Sequence, residues 1–329
     1  MIMNILTPTK LDQFIINKDI ASKFINFTKT NIINTLIYGK PNSGKKTLIK
    51  SLLNNIYDTD IEKISQINNY DIKIGNNKVN ITYISSPYHF EINLYEYGLY
   101  DKNIISEFIL DLIKFKNIKI GCYKIIILNH FECVSSSAQM LLKRMFEKYT
   151  NSRFFLITEQ ISKIDKCLLS RCFTVRLPVP NKLQIKNYID GISEEYSLEL
   201  NSDSNFYKIN NLFLLNNILI NYIHNKKFNY ENIFKLEQSI EKIIALINKK
   251  NIESILEIRN ICYNLLLLNL GVDYVFKKIM GYYLNSELSN SKKMKILEAS
   301  SNINNNLGKI EHNLISLEYF ILKVKKILL

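Results

Sequence analysis

The segment from Leu36 to Thr47 constrains this chain more than any other. A short apolar run, Leu36-Ile37-Tyr38, feeds the loop Gly39-Lys40-Pro41-Asn42-Ser43-Gly44, and a helical pattern begins at Lys45-Lys46-Thr47. Strand, glycine-bearing loop and helix start are the layout of a phosphate-binding P-loop. Backbone N–H groups and a helix N-terminus face an anion, and one lysine reaches the outer phosphates. In that layout Gly39 and Gly44 allow the tight loop, Lys45 meets the phosphates, and Lys40, Pro41, Asn42 and Ser43 complete the cradle. The rule then asks for Ser or Thr, whose hydroxyl holds Mg²⁺. Here Lys46 stands in that place and Thr47 comes one residue late. The expectation is a pocket for ATP or ADP in which Mg²⁺ is disfavoured and metal-assisted hydrolysis is poorly supported.

A chain of 329 residues is long enough for two or three domains with proper cores. Only 9 glycines and 5 prolines punctuate it, which favours a helix-rich fold. The net charge of +13 points to an acidic partner, of which nucleic acid is the commonest. The abundance of Ile, Asn, Lys and Tyr is equally what an AT-rich genome would encode, so charge alone decides little. Five cysteines include no Cys-x-x-Cys pair, and the 4 histidines are scattered, so neither a zinc site nor a disulfide scaffold is expected. The N-terminus lacks the basic region of a secretory signal, and no apolar run approaches membrane-span length. A membrane is therefore not expected among the partners.

Short apolar runs at 36–38, 79–84, 123–128, 153–158 and 173–177 read as strands. Helical patterns at 104–115 and 138–149 lie between them. Such alternation predicts a mostly parallel sheet covered by helices on both faces. Pro178 and Pro180 then break the chain. Beyond them the periodicity is helical at 182–189, 210–223, 230–248, 252–268, 274–284 and 310–328. The expected organisation is an α/β nucleotide domain over 1–177, a helical lid over 178–225 and an all-helical region over 226–329. In the last helix Leu314, Leu317, Phe320, Ile321, Val324, Ile327 and Leu328 form a stripe suited to a core or a subunit interface.

Four blocks together resemble one family, the small subunits of replication factor C, the eukaryotic AAA+ sliding-clamp loader. They are the P-loop from Gly39 to Thr47; Ser85-Ser86-Pro87-Tyr88-His89-Phe90-Glu91-Ile92, followed by Gly98-Leu99-Tyr100-Asp101-Lys102 and Glu107; Ala138-Gln139 with Lys143-Arg144-Met145-Phe146-Glu147-Lys148-Tyr149; and Ser170-Arg171-Cys172. The similarity is narrower still to the subunit type whose P-loop ends Gly-Lys-Lys-Thr and which carries the Ser-Ser-Pro-Tyr-His block. The resemblance implies an AAA+ P-loop domain, a helical lid and an all-α collar, within a hetero-pentamer that loads a PCNA-type sliding clamp onto primer–template DNA.

The resemblance also assigns residues, and it exposes departures. The acidic pair that follows the third strand in the family's ATPases, holding Mg²⁺ and activating water, falls on Asn129 and His130. His130 is either a substitute base or a polar residue at a strand end, and Glu132 comes two residues too late. The sensor asparagine falls on Glu159 and the lid arginine on Phe213, while the adenine-holding N-terminal motif is reduced to Pro8 and Lys10. Arg171, in contrast, keeps the place of the finger that reaches a neighbouring subunit's ATP site. Lys102, Lys114 and Lys116 fall near the region that tracks template backbone. Lys143 and Arg144 suit either that role or a subunit contact. The implied location is the nucleus, or a cytoplasmic replication site if the chain is viral. A stand-alone P-loop ATPase or nucleotide kinase is the alternative, and a checkpoint or cohesion-linked loader would share the same subunit.

Overall fold

The computed structural model describes residues 6–74, 77–97, 100–114, 123–196, single positions between 212 and 223, and 231–248, 254–267, 272–307 and 313–328. The chain divides into two compact units, Met1–Lys227 and Phe228–Leu329.

The first unit is built on a seven-stranded sheet. Its strands are β1 (Thr35–Tyr38), β2 (Gln66–Ile74), β3 (Asn77–Ser85), β4 (His89–Asn93), β5 (Lys124–Asn129), β6 (Ser152–Thr158) and β7 (Phe173–Arg176), in the order β2-β3-β4-β5-β6-β1-β7. From β4 to β7 every pairing is parallel, whereas β2, β3 and β4 pair antiparallel. The parallel part is the mostly parallel sheet that the sequence predicts. The hairpin that extends it was only half legible, because Gln66-Ile67-Asn68-Asn69-Tyr70 is too polar to read as a strand. One of its faces stays open to water, so it lacks the two-sided apolar signature.

The parallel strands show why their sequences are almost continuously apolar. In β5, Ile126 and Leu128 enter one core while Ile125 and Ile127 enter another. In β6, Phe154 and Leu156 face the first and Phe155 and Ile157 the second, and β1 divides Leu36 from Ile37 in the same way. Successive side chains point to opposite faces, so a sheet covered twice needs both parities apolar. One cover is α2 (Lys45–Tyr57), which buries Leu48, Ile49, Leu52 and Leu53. The other includes α6 (Ser136–Lys148) and the helical run α4 (Asp101–Asn103), a π-helical turn Ile104–Ile109 and α5 (Leu110–Lys114). Shorter helices are α1 (Lys18–Ser22), α3 (Ile61–Ile64) and α7 (Lys166–Leu169), and α8 (Lys182–Tyr196) follows the prolines.

The second unit contains α9 (Glu231–Asn248), α10 (Ser254–Leu267), α11 (Val272–Asn285), α12 (Asn290–Leu307) and α13 (Asn313–Leu328). The sequence pattern does not reveal α12, since Asn, Ser and Lys outnumber its apolar residues; among the described residues Ile296, Ala299 and Ile303 are its buried apolar positions. In α13 the expected stripe is intramolecular core: Leu317, Phe320, Ile321 and Val324 are fully buried, and Phe320 packs on Phe276 with ring centroids 4.4 Å apart. Arg259 grips Glu318 with two hydrogen bonds, Nε to Oε1 at 2.7 Å and Nη2 to Oε2 at 3.0 Å.

The Ser-Ser-Pro-Tyr-His block is a tight turn that launches β4. Ser86 Oγ lies 2.6 Å from His89 Nδ1 and accepts from the backbone N–H groups of Tyr88 and His89, while Ser86 N–H donates to the His89 carbonyl at 2.8 Å. Burial pushes the His89 imidazole down to about 4, an effect that Glu91 opposes and Lys50 and Lys46 reinforce. An unfolded chain therefore takes up the proton first, so His89 leaves stability intact above about pH 6.5 and erodes it as pH falls toward 4. Thermal unfolding from pH 7 to 4 should show this loss, up to about 3 kcal/mol. His89→Gln should flatten that part of the curve.

Candidate nucleotide site and interface arginine

β1 sits between β6 and β7, and its carboxyl end carries the P-loop. Gly39 N–H donates to the Thr158 carbonyl at 3.3 Å, and Leu177 N–H to that of Tyr38 at 2.8 Å. A Cβ at position 39 would lie 2.2 Å from the Leu177 carbonyl oxygen, so only glycine passes there. Lys40, Pro41 and Asn42 form the exposed tip, with Asn42 at φ 58°, and Gly44 closes the loop at φ 87°.

Gly44 is the N-cap of α2, and no side chain caps that helix. The first intrahelical bond is Leu48 N–H to the Gly44 carbonyl at 2.9 Å. The N–H groups before it thus have no partner in the helix. Ser43 Oγ is buried, with no hydrogen-bond partner among the described residues. Lys45, only 8% exposed, donates to the carbonyls of Gly39 and Lys40 at 2.7 and 2.8 Å. Burial lowers its pKa, and Glu159 and Glu132 pull the other way. Free N–H groups, a helix N-terminus and a lysine across the loop fit a phosphate chain.

The same pocket does not fit Mg²⁺. Lys46, at the metal-hydroxyl position, forms an ion pair with Glu91 Oε1. Asn129 Nδ2, at the first acidic position, donates to that same oxygen at 2.6 Å. His130 adopts a left-handed turn at φ 53°, its Nδ1 lying 3.1 Å from Glu132 Oε1. Glu132 Oε2 accepts from Glu159 N–H at 3.0 Å. Burial alone would raise the Glu132 carboxyl. The bonds from His130, from the backbone at Glu132 and Glu159 and from Thr158 outweigh it and hold the group near 2. Glu132 is therefore a structural anion that ties the end of β5 to the end of β6. Among the described residues, no group of three or more His, Cys, Asp or Glu could hold a metal.

Arg171 lies just before β7, after the short helix α7. α7 is capped by Asp165, whose side chain accepts from Cys167 N–H at 3.1 Å. Gln139 fixes that cap: its Oε1 accepts from Asp165 N–H at 2.8 Å, and its Nε2 donates to the carbonyls of Val134 and Lys163 at 3.0 and 3.1 Å. Phe173 pairs edge-on with Phe24, centroids 6.1 Å apart. Arg171 itself is 38% exposed, donates to the Cys167 carbonyl at 2.9 Å and pairs with Glu147 at 2.8 Å.

Lys102 and Lys114 are both exposed on the α4-to-α5 run, whereas Lys116 and Phe213 lie outside the described residues. The sequence reading gave no role to Glu91, Gln139 or Glu147. Glu91 carried a signal, since a carboxylate between Phe90 and Ile92 in a strand covered on both faces requires a partner.

A β1 P-loop flanked by parallel β6 and β7, with β5 and β4 beyond, defines an α/β P-loop domain, followed in this chain by helices. In sequence the chain is similar to replication factor C subunits. It is 33% identical over 202 residues to replication factor C subunit 3 of Arabidopsis thaliana, covering 59% of this chain and 57% of that protein. The match thus spans little more than half the length of that relative. Subunit 5 of Saccharomyces cerevisiae is 25% identical over 342 residues, 96% of either chain. A replication factor C small subunit of Acanthamoeba polyphaga mimivirus is 28% identical over 334 residues, 95% of this chain and 87% of that one. No family model matches the chain. Among solved structures, AMPPCP-bound DnaA from Aquifex aeolicus aligns over 92% of this chain and 98% of its own, at 15% identity and a TM-score of 0.47.

Gln139→Ala should strand the Asp165 N–H and two carbonyls, lowering stability by about 2–3 kcal/mol. Calorimetry would measure this, and hydrogen exchange should rise selectively around α7.

Proposed function

We propose that this chain is a small subunit of a clamp-loader complex, one that binds nucleotide without hydrolysing it and lends Arg171 to a neighbouring ATPase subunit. The carrying observation is an asymmetry. The metal-hydroxyl, acidic and sensor positions hold Lys46, Asn129, His130 and Glu159, and the last three sit in hydrogen bonds or an ion network of their own. Arg171 is exposed, and the segment that bears it is anchored by Gln139, Asp165 and Phe173. Removing one preorganised catalytic charge costs about 10²–10³ in rate, so loss of several leaves turnover negligible.

Arginine suits the lent role because its planar fork is permanently charged and meets phosphate with two hydrogen bonds. Its pairing with Glu147 is solvent-exposed on both sides, so giving it up for a neighbour's phosphate costs little. The partners are other replication factor C subunits in a hetero-pentamer, a PCNA-type sliding clamp and primer–template DNA. Lys102 and Lys114 are candidates for backbone contacts, which need only charge. The helices over 226–329 serve as collar. Ile315, Tyr319 and Leu322 support that role, being exposed along one side of α13 at helical spacing. The working place is the nucleus, or a cytoplasmic replication site for a viral chain. No helix among the described residues is long and apolar enough to cross a membrane.

Arg171→Ala should leave assembly intact while cutting ATP turnover of the reconstituted complex by about 10³-fold at the site it serves. Unchanged turnover there contradicts the finger. Lys45→Ala should barely alter that turnover, and a large loss would mean that this chain's own pocket is catalytic.

A further inference from the structure

Glu91 is not used by the nucleotide reading as it stands. It is 3% exposed on a strand covered on both faces, and burial of a lone carboxylate costs several kcal/mol. Its charge is met by the Lys46 ammonium and by the Asn129 amide. Two of these three residues occupy places where a P-loop ATPase presents oxygen ligands to Mg²⁺. Both have changed in the same sense: a hydroxyl position now carries a cation, and a carboxylate position now carries an amide that points its N–H₂ inward. A divalent cation would have to expel the ammonium from Glu91 and face that amide donor, at a cost that no hydroxyl at 46 or carboxylate at 129 offsets.

We infer that the Lys46 ammonium, held by the Glu91 carboxylate that Asn129 also binds, stands in for Mg²⁺ and makes this a metal-independent nucleotide site. The inference rests on the nucleotide-binding reading above. Lys46 retains 48% of its side-chain exposure, so an arriving phosphate can meet it without breaking its link to Glu91. Together with Lys45 and the uncapped start of α2, it supplies positive charge that a Mg²⁺-dependent pocket draws from the ion.

The test is titration of the full chain with a fluorescent ADP, once in Mg²⁺ and once in EDTA, alongside Mn²⁺ titration followed by electron paramagnetic resonance. Wild-type affinity should agree within about twofold between the two buffers, and ADP should recruit no bound Mn²⁺. The double variant Lys46→Thr/Asn129→Asp restores oxygen ligands, so Mg²⁺ should tighten its ADP binding about tenfold, roughly 1.4 kcal/mol. Should that variant fail to fold, Lys46→Gln serves instead: its ADP affinity in EDTA should fall about tenfold. Wild-type binding that Mg²⁺ tightens tenfold, or a nucleotide-dependent Mn²⁺ signal, overturns the ammonium assignment alone. Absence of ADP binding by folded protein in both buffers overturns the nucleotide reading and this inference with it.

Discussion

Everything in the first unit is referred to the close approach of the P-loop backbone to β7. Gly39 has no side chain because the Leu177 carbonyl occupies the space where one would go. That contact sets the loop at the carboxyl end of three parallel strands at once, β6, β1 and β7. The end of β6 then places Glu159 beside Glu132, and the start of β7 places Arg171 at the far edge. A substitution at Gly39 would disturb the loop and its junctions with the ends of β6 and β7 together.

Charge in the pocket has been rearranged rather than removed. An oxygen-rich metal site holds negative groups that the ion neutralises. Here the same volume holds Lys46 against Glu91, Asn129 on that carboxylate, and His130 against Glu132. Each buried charge has a partner, so the network is stable without an ion, and none of its members is left over to polarise water. The catalytic silence proposed for the pocket and the pairing of its charges would therefore have one physical origin.

The parallel core was legible because strands covered on both faces must be apolar at every position, as in Ile125 to Leu128. The P-loop was legible because its glycines and lysine have fixed geometric duties. Strand β2 escaped notice because Ile67 is 74% exposed in a strand that has water on one side. Helix α12 escaped because polar residues outnumber apolar ones along it. In the site, Lys46, Asn129 and Arg171 could be picked out by position in the motif. Glu91, Gln139 and Glu147 could not be given roles, because each acts on a residue distant in sequence that only the fold brings near.

The proposed role depends most on this pocket being unable to turn nucleotide over. The direct measurement is single-turnover hydrolysis of γ-labelled ATP by the purified full chain in excess over ATP, with Mg²⁺ present. Labelled phosphate should be released no faster than in buffer alone. Release that is faster, saturates with protein and disappears in Lys45→Ala would contradict the account and make the chain an ATPase in its own right.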